Sequence, residues 1–401
     1  MTGARREPLV TGAFLRLWTF SFVTFFSAFQ LFPAIPFRIL ELGGTKTEAG
    51  LFLTLYTWAC AASAPFTGAV ADHFGRRRAL LAGGFAFAVF SILYGEATGL
   101  PLLVGVAVVH GVFWSALLSA SGAMMSEVIP ASRRTEGIAW WGLASTVAIA
   151  VAPLVGLTLY RAAGWRVVCG EMALLSLAMA FVATRLPPGE PRRSGRFPSP
   201  AKAVEWRVIV TALSLSAVSF GYGGVMSYVA LLSIERKIEP PSLFFTLFAA
   251  SILVTRVFAG RLGDRFGPKW LLFPSLALVP FALALVAVAE SKALLISAAL
   301  LYGFGFGGTY PAFVTWVLGR TDTARRAATF GSVLFAFDTG IGAGSMVTGF
   351  LATRFGFGPA FFAAAAVSLL AIPVFLATSR LLPERTDETV PSSALPAGGP
   401  D

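Results

Sequence analysis

Apolar residues run along this chain in blocks of about twenty or more, separated by short polar stretches rich in arginine, glycine and proline. The blocks are apolar all round, without the polar stripe of a surface helix or the strict alternation of a half-buried strand. A helix needs about 20 such residues to cross a hydrocarbon core about 30 Å thick. The pattern predicts twelve spanning helices, over 14–38, 49–71, 79–97, 101–125, 137–160, 166–186, 207–232, 242–261, 270–290, 293–318, 327–352 and 358–380. Most connections are short. The exception runs from Pro187 to Glu205 and contains PPGEPRRSGRFPSP, whose proline, glycine and arginine predict a solvated linker. The expected organisation is a six-helix bundle at 1–186, a linker at 187–206, a second six-helix bundle at 207–383 and a disordered polar tail at 384–401.

The two bundles repeat each other. Gly68-Ala69-Val70-Ala71-Asp72-His73-Phe74-Gly75-Arg76-Arg77-Arg78 ends the second block, and Gly260-Arg261-Leu262-Gly263-Asp264-Arg265-Phe266-Gly267-Pro268-Lys269 ends the eighth. Adding 192 to Gly68, Asp72, Phe74 and Gly75 gives Gly260, Asp264, Phe266 and Gly267. The same offset carries Leu51-Phe52 onto Leu243-Phe244, Thr54-Leu55 onto Thr246-Leu247, Gly111 onto Gly303 and Arg133-Arg134 onto Arg325-Arg326. A constant register over this distance implies two equivalent halves. An even number of crossings separates the copies, so both halves share one orientation, related by an axis along the membrane normal.

Composition agrees with a membrane setting. Hydrophobic residues make up 56% and charged residues only 13%, against about 25% charged in a soluble domain; the mean hydropathy is +0.76. The formal charge of +11 sits mostly in alternate connections: Arg5-Arg6, Arg76 to Arg78, Arg133-Arg134, the 185–207 cluster, Arg261/Arg265/Lys269, Arg320/Arg325/Arg326 and Arg380/Arg385. The positive-inside rule then puts both termini in the cytoplasm and the chain in the cell (inner) membrane as a multi-pass protein. Because these basic residues lie in short loops beside lipid, no nucleic-acid partner is expected. The first apolar stretch is too long for a signal-peptide core and lacks a small-residue cleavage site. With two histidines and no clustered cysteines, neither a metal site nor another cofactor is expected; Cys60 and Cys169 read as small apolar fillers. No phosphate-binding loop is present, which argues against direct ATP use.

The repeated motif resembles the signature of the major facilitator superfamily between helices 2 and 3 and its weaker echo between helices 8 and 9, and the resemblance extends over the whole chain. It implies an all-α membrane fold of twelve transmembrane helices in two pseudo-symmetric six-helix bundles. It further implies that Gly68, Asp72, Gly75, Arg76 and Arg77, with Glu127 at the end of helix 4, form a gate echoed by Gly260, Asp264, Arg265 and Gly267. In the family the acid at Asp72 faces the start of helix 11, here near Ala327, and closes the cytoplasmic side. His73 stands where the family prefers a fixed cation. Two other motifs depart from the family. Helix 4 has Ala107-Val108-Val109-His110-Gly111 where many members have Arg-x-x-Gln-Gly. Helix 5 has Ala152-Pro153-Leu154-Val155-Gly156-Leu157 where antiporters have Gly-Pro-x-x-Gly-Gly.

Ionisable groups deep in a bilayer are costly and mark function by default. Asp338 falls about 16 Å into helix 11 at 1.5 Å per residue, on a stripe with Gly331, Gly342, Ser345 and Gly349. It is either the proton-coupling group or a buried structural carboxylate. His110 lies at similar depth in helix 4, either as a proton or substrate ligand or as a hydrogen-bonded core histidine; its counterpart is Tyr302. Arg256 either snorkels to the interface, pairs with a carboxylate or neutralises an anionic substrate. Phe26, Gln30, Tyr56, Trp114, Tyr222 and Tyr310 are candidates to complete a binding pocket. An ion channel would need charge rings or a filter loop, and an enzyme a nucleophile–base set; neither is evident. The resemblance implies a secondary active transporter that acts as a monomer and exports a small organic molecule, a drug or metabolite, by proton antiport with alternating access. Proton-coupled or facilitated uptake of a small metabolite is the alternative.

Overall fold

A computed structural model describes residues 8–188, 204–322 and 325–383. Most of the expected linker and the whole expected tail lie outside the described residues. Helices α1 (Gly12–Glu41), α2 (Lys46–Phe74), α3 (Arg76–Glu96), α4 (Leu100–Val128), α5 (Arg134–Ala163) and α6 (Trp165–Thr184) form the first half. Helices α7 (Trp206–Glu235), α8 (Leu243–Phe266), α9 (Pro268–Ala287), α10 (Lys292–Leu318) and α11 (Arg326–Phe355) follow. The twelfth, α12, is helical over Phe357–Leu369 and Ala371–Thr378, with a break at Leu370. Eleven of these helices are long and apolar enough to span a membrane. Over its described residues α8 carries a shorter apolar run, Leu243–Arg256.

Local chemistry sets the ends. Thr11 caps α1 by accepting the Phe14 N–H at 3.1 Å. Thr45 and Glu48 cap α2 reciprocally, the Glu48 carboxylate accepting the Thr45 N–H at 2.7 Å. Four helix junctions turn on glycine with positive φ: Gly75 (92°) and Gly164 (85°), and their repeat counterparts Gly267 (83°) and Gly356 (83°). A side chain would be strained at each of them.

Packing follows the repeat. In the first half α1 packs on α5, α2 on α4 and α3 on α6; in the second, α7 packs on α11, α8 on α10 and α9 on α12. One glycine shows how closely the copies match. A Cβ at Gly111 would stand 2.1 Å from the Tyr56 carbonyl oxygen, and a Cβ at Gly303 would stand 2.4 Å from that of Phe248. Gly111/Gly303 and Tyr56/Phe248 are both 192 residues apart, so the same backbone approach joins α2 to α4 and α8 to α10. The outer helices present large apolar side chains to the surroundings, including Phe85 on α3, Leu174 on α6, Phe281 on α9 and Leu369 on α12, as lipid contact requires.

Two seams join the halves, α2 against α11 and α5 against α8. The described hydrogen bonds that cross between the halves lie between mid-depth and the end of the bundle opposite the start of α1, called here the far end. At that end the Lys46 ammonium pairs with Glu235 at 3.1 Å, and Arg161 holds Glu239 through two nitrogens at 2.8 and 3.1 Å. The Tyr228 hydroxyl donates to the Lys46 carbonyl, and Thr47 and Thr353 share a hydroxyl contact. These contacts hold the far end closed.

Candidate functional site

The gate motif assembles at the other end, where α1 and α7 begin. Asp72 ends α2 and Arg76 opens α3, one turn apart across the Gly75 bend. The Arg76 guanidinium binds Asp72 through Nε at 2.7 Å and Glu127 of α4 through Nη1 at 2.6 Å. Arg77 donates to the Thr184 carbonyl at the end of α6. Arg76 is mostly buried, so the triad ties α2, α3 and α4 into one unit of the first half. In the second copy Gly267 makes the equivalent bend and the Arg265 guanidinium lies over the Phe266 ring. The side chains of Gly260, Asp264 and Ala327 fall outside what is described, so the expected contact of Asp72 with the start of α11 does too.

At mid-depth the two seams carry the ionisable groups. Along α2–α11 the Thr54 hydroxyl donates to the Gly342 carbonyl, the Trp58 indole to the Thr339 carbonyl and the Cys60 thiol to Asp338 Oδ2 at 3.4 Å. Asp338 is the thirteenth of the thirty residues of α11 and is half-buried. Among the described residues no cation lies within 4 Å of it. Its expected stripe packs as the small residues allow: Gly342 meets Thr57 and Trp58, Ser345 donates to the Gly50 carbonyl, and Gly349 meets Tyr228. Along α5–α8 the Thr246 hydroxyl donates to the Ala150 carbonyl, and Arg256 Nη1 donates to Thr146 Oγ1 at 2.7 Å and to the Gly142 carbonyl at 3.1 Å. For Arg256 the geometry adds a contact between the halves that the three expected alternatives did not include, and no carboxylate is among its described partners.

The expected pocket residues divide into two sets. His110, Tyr56 and Tyr302 lie inside their own halves, at 2%, 1% and 0% exposure. The His110 ring is enclosed by Tyr56, Phe87, Phe90 and Tyr94, with the Tyr94 hydroxyl 3.2 Å from Nδ1. Tyr302 sits likewise against Phe244, Phe248 and Phe306. Gln30 is fully buried, 0% exposed. Closer to the seams, Tyr310 packs on Phe337 beside Asp338, and Tyr222 stacks on Phe306. Trp114 meets Phe25 edge-on, and Phe26 follows Phe22 along α1.

One membrane carboxylate escaped the sequence reading. Glu171, on α6, is half-buried and accepts from Gln30 Nε2 at 3.0 Å. The signal was present, since Glu171 falls inside the predicted sixth helix; it was masked by the neighbouring interface residue Arg166 and by a partner 141 positions away.

Known proteins share this architecture. The Major Facilitator Superfamily matches the chain over residues 17–240 and 240–398. An uncharacterized MFS-type transporter of Burkholderia mallei is 25% identical over 88% of this chain and 89% of its own length. The MFS-type transporter YhhS of Escherichia coli is 24% identical over 96% and 98%. Among solved structures, a bacterial homologue of the human lysosomal transporter Spinster superposes with a TM-score of 0.78 at 16% identity, covering 94% of this chain and 98% of that one. The nucleoside transporter NupG superposes at 0.73 with 14% identity, covering 92% and 100%. The duplicated six-helix halves, the paired glycine bends and the family match over both halves converge: the chain is a multi-pass membrane protein and belongs to the Major Facilitator Superfamily of secondary carriers.

Proposed function

We propose that this carrier is proton-coupled, that it moves a small organic molecule, and that Asp338 is the group that takes and releases the proton. The observation that carries this reading is the position of Asp338: a carboxylate at mid-depth, on a seam between halves, held by a thiol and with no cationic partner within 4 Å among the described residues. A buried charge without a partner is costly, and a group that faces each compartment in turn loads a proton from one and releases it to the other. The direction proposed is export by proton exchange. Asp338 is only half-buried, so it can release its proton to one side before substrate, held elsewhere between the halves, crosses to the other. Uptake together with a proton is the second reading. It is favoured by Arg256, which stands on the other seam, so that a substrate held there leaves Asp338 free to carry a proton. The arginine-rich connections support an arrangement in which the end bearing the gate motif faces the cytoplasm, with the Asp72–Arg76–Glu127 triad positioning Asp72 to meet the start of α11 when that end closes. The test is flux in proteoliposomes with pH gradients imposed in both directions. Saturable movement against the proton gradient supports exchange, movement with it supports uptake, and saturable flux indifferent to the gradient overturns proton coupling.

A further inference from the structure

We infer that the substrate carries an anionic group, a carboxylate or phosphate, and that Arg256 binds it with the Thr146 hydroxyl alongside. This rests on the carrier reading above and deepens it. Arg256 is the fourteenth of the twenty-four residues of α8, at the level where the Thr146 side chain of α5 meets it. A fixed cation at that depth favours an anion, because the guanidinium stays protonated. Its described partners are both neutral, a hydroxyl and a backbone carbonyl, and both take the same nitrogen, Nη1. Nε and Nη2 make no described hydrogen bond, and the residue is exposed, so the face suited to a bidentate carboxylate or phosphate is open. Asp338 does not serve, since it lies on the α2–α11 seam with Cys60.

The repeat shows that packing does not demand this cation. The counterpart of Arg256 in the first half is Ala64, and the counterpart of Thr146 is Asp338 itself. The seam thus carries an arginine fork and a hydroxyl where the other seam carries a carboxyl and a thiol.

The test uses the full-length protein in dodecyl maltoside, with thermal unfolding followed as ligand is added. The probes are benzoate and phenyl phosphate, their neutral and cationic relatives benzamide and benzylamine, and, separately, phosphatidylglycerol. The expected result is a concentration-dependent rise in Tm with benzoate or phenyl phosphate and none with benzamide or benzylamine. Arg256→Gln should weaken the apparent affinity at least about tenfold, the loss of one strong charge-assisted contact, while Arg256→Lys, which keeps the charge, retains part of it. A Tm response to no soluble anion, a response unchanged in Arg256→Gln, or a response to phosphatidylglycerol alone overturns the proposal; the last would make the site a lipid contact. Uptake of labelled benzoate into proteoliposomes separates the two readings. Arg256-dependent binding without translocation sinks the carrier reading and leaves the site standing. Translocation of benzylamine or benzamide in preference to the anions sinks the anion site and leaves the carrier.

Discussion

The α2–α11 seam and the α5–α8 seam are copies of each other that have kept their scaffold and exchanged their chemistry. Thr54 on α2 donates to the Gly342 carbonyl on α11; Thr246 on α8 donates to the Ala150 carbonyl on α5. All four residues are related by the offset of 192. One turn along, the equivalence of side chains breaks. Asp338 holds the thiol of Cys60 on one seam, while Thr146, at the equivalent position, meets Arg256 on the other. The lesson is that two seams can keep equivalent hydrogen bonds while the side chains one turn away diverge in chemistry. A carboxyl can take and lose a proton, whereas a guanidinium keeps its charge. One seam is therefore suited to a variable charge and the other to a fixed one.

The scaffold half of this comparison breaks most severely at the glycines. Gly111→Val and Gly303→Val each drive a side chain into a carbonyl oxygen that belongs to the facing helix backbone, which cannot swing aside. Overpacking of this kind costs about 1–3 kcal/mol or more. Both variants should lose folded yield and Tm by similar amounts, read by size-exclusion profile and thermal unfolding. A large loss in one and none in the other would mean that the halves are less equivalent than their register.

The gate motif comes next. Asp72→Asn or Arg76→Ala removes a member of the triad that ties α2, α3 and α4 together, and transport should fall about tenfold, within the usual range of about 1–3 kcal/mol for coupling between sites, with expression nearly intact. Cysteine labelling from the cytoplasmic side should increase in both. Unchanged transport would reduce the arginine run to a topology anchor.

The seams themselves yield a smaller effect. Thr54→Val and Thr246→Val each remove one hydrogen bond across the halves, worth about 0.5–1.5 kcal/mol. Both should speed maleimide labelling of Cys60, which is buried in the α2–α11 seam, by a few-fold, in a background where Cys169→Ser removes the other thiol. If the halves move as units, the distant Thr246→Val should act on Cys60 as Thr54→Val does. An effect confined to Thr54→Val would show that the seams open independently.

The smallest effect concerns the far end. The Arg161 guanidinium beside Glu239 holds that carboxyl below the usual carboxylate range. A lowered value means the pair is intact above it and is lost only as pH falls through it. The Arg161–Glu239 contact should therefore be indifferent to pH between about 5 and 8, above the reference carboxylate range. Arg161→Gln should leave the pH profile of transport unchanged while modestly raising far-end labelling, as expected for an exposed ion pair worth about 0–1 kcal/mol. A shifted profile would place part of the coupling outside Asp338.

Much of the fold is legible in the sequence because its determinants are local. Each apolar block became a helix with ends close to those expected, and the offset that pairs Gly68 with Gly260 also pairs the bends at Gly75 and Gly267 and at Gly164 and Gly356. The break at Leu370 in α12 had no such marker. The site is less legible because it is made by partners far apart in the chain. Asp338 stood out as a lone carboxylate in an apolar block, but Cys60, 278 positions away, did not announce itself as its partner. His110 carries a strong chemical label, yet the aromatic rings of α2 and α3 close around it. Glu171 was passed over since its bond to Gln30 joins α6 to α1. Arg256 has three alternatives in the sequence, and its contact with Gly142 and Thr146 is visible only once α5 packs on α8.

The central claim is that the variable charge on the α2–α11 seam couples the proton to transport, and Asp338→Asn tests it most directly. The amide keeps the shape of the protonated carboxyl and cannot release a proton. Uptake into proteoliposomes is measured with and without an imposed pH gradient, beside substrate exchange at equal pH on both sides. Asp338→Asn is predicted to keep exchange near the unmodified level and to lose gradient-driven accumulation. If the variant still accumulates substrate in response to the gradient, Asp338 is a structural carboxyl and the proton travels by another route.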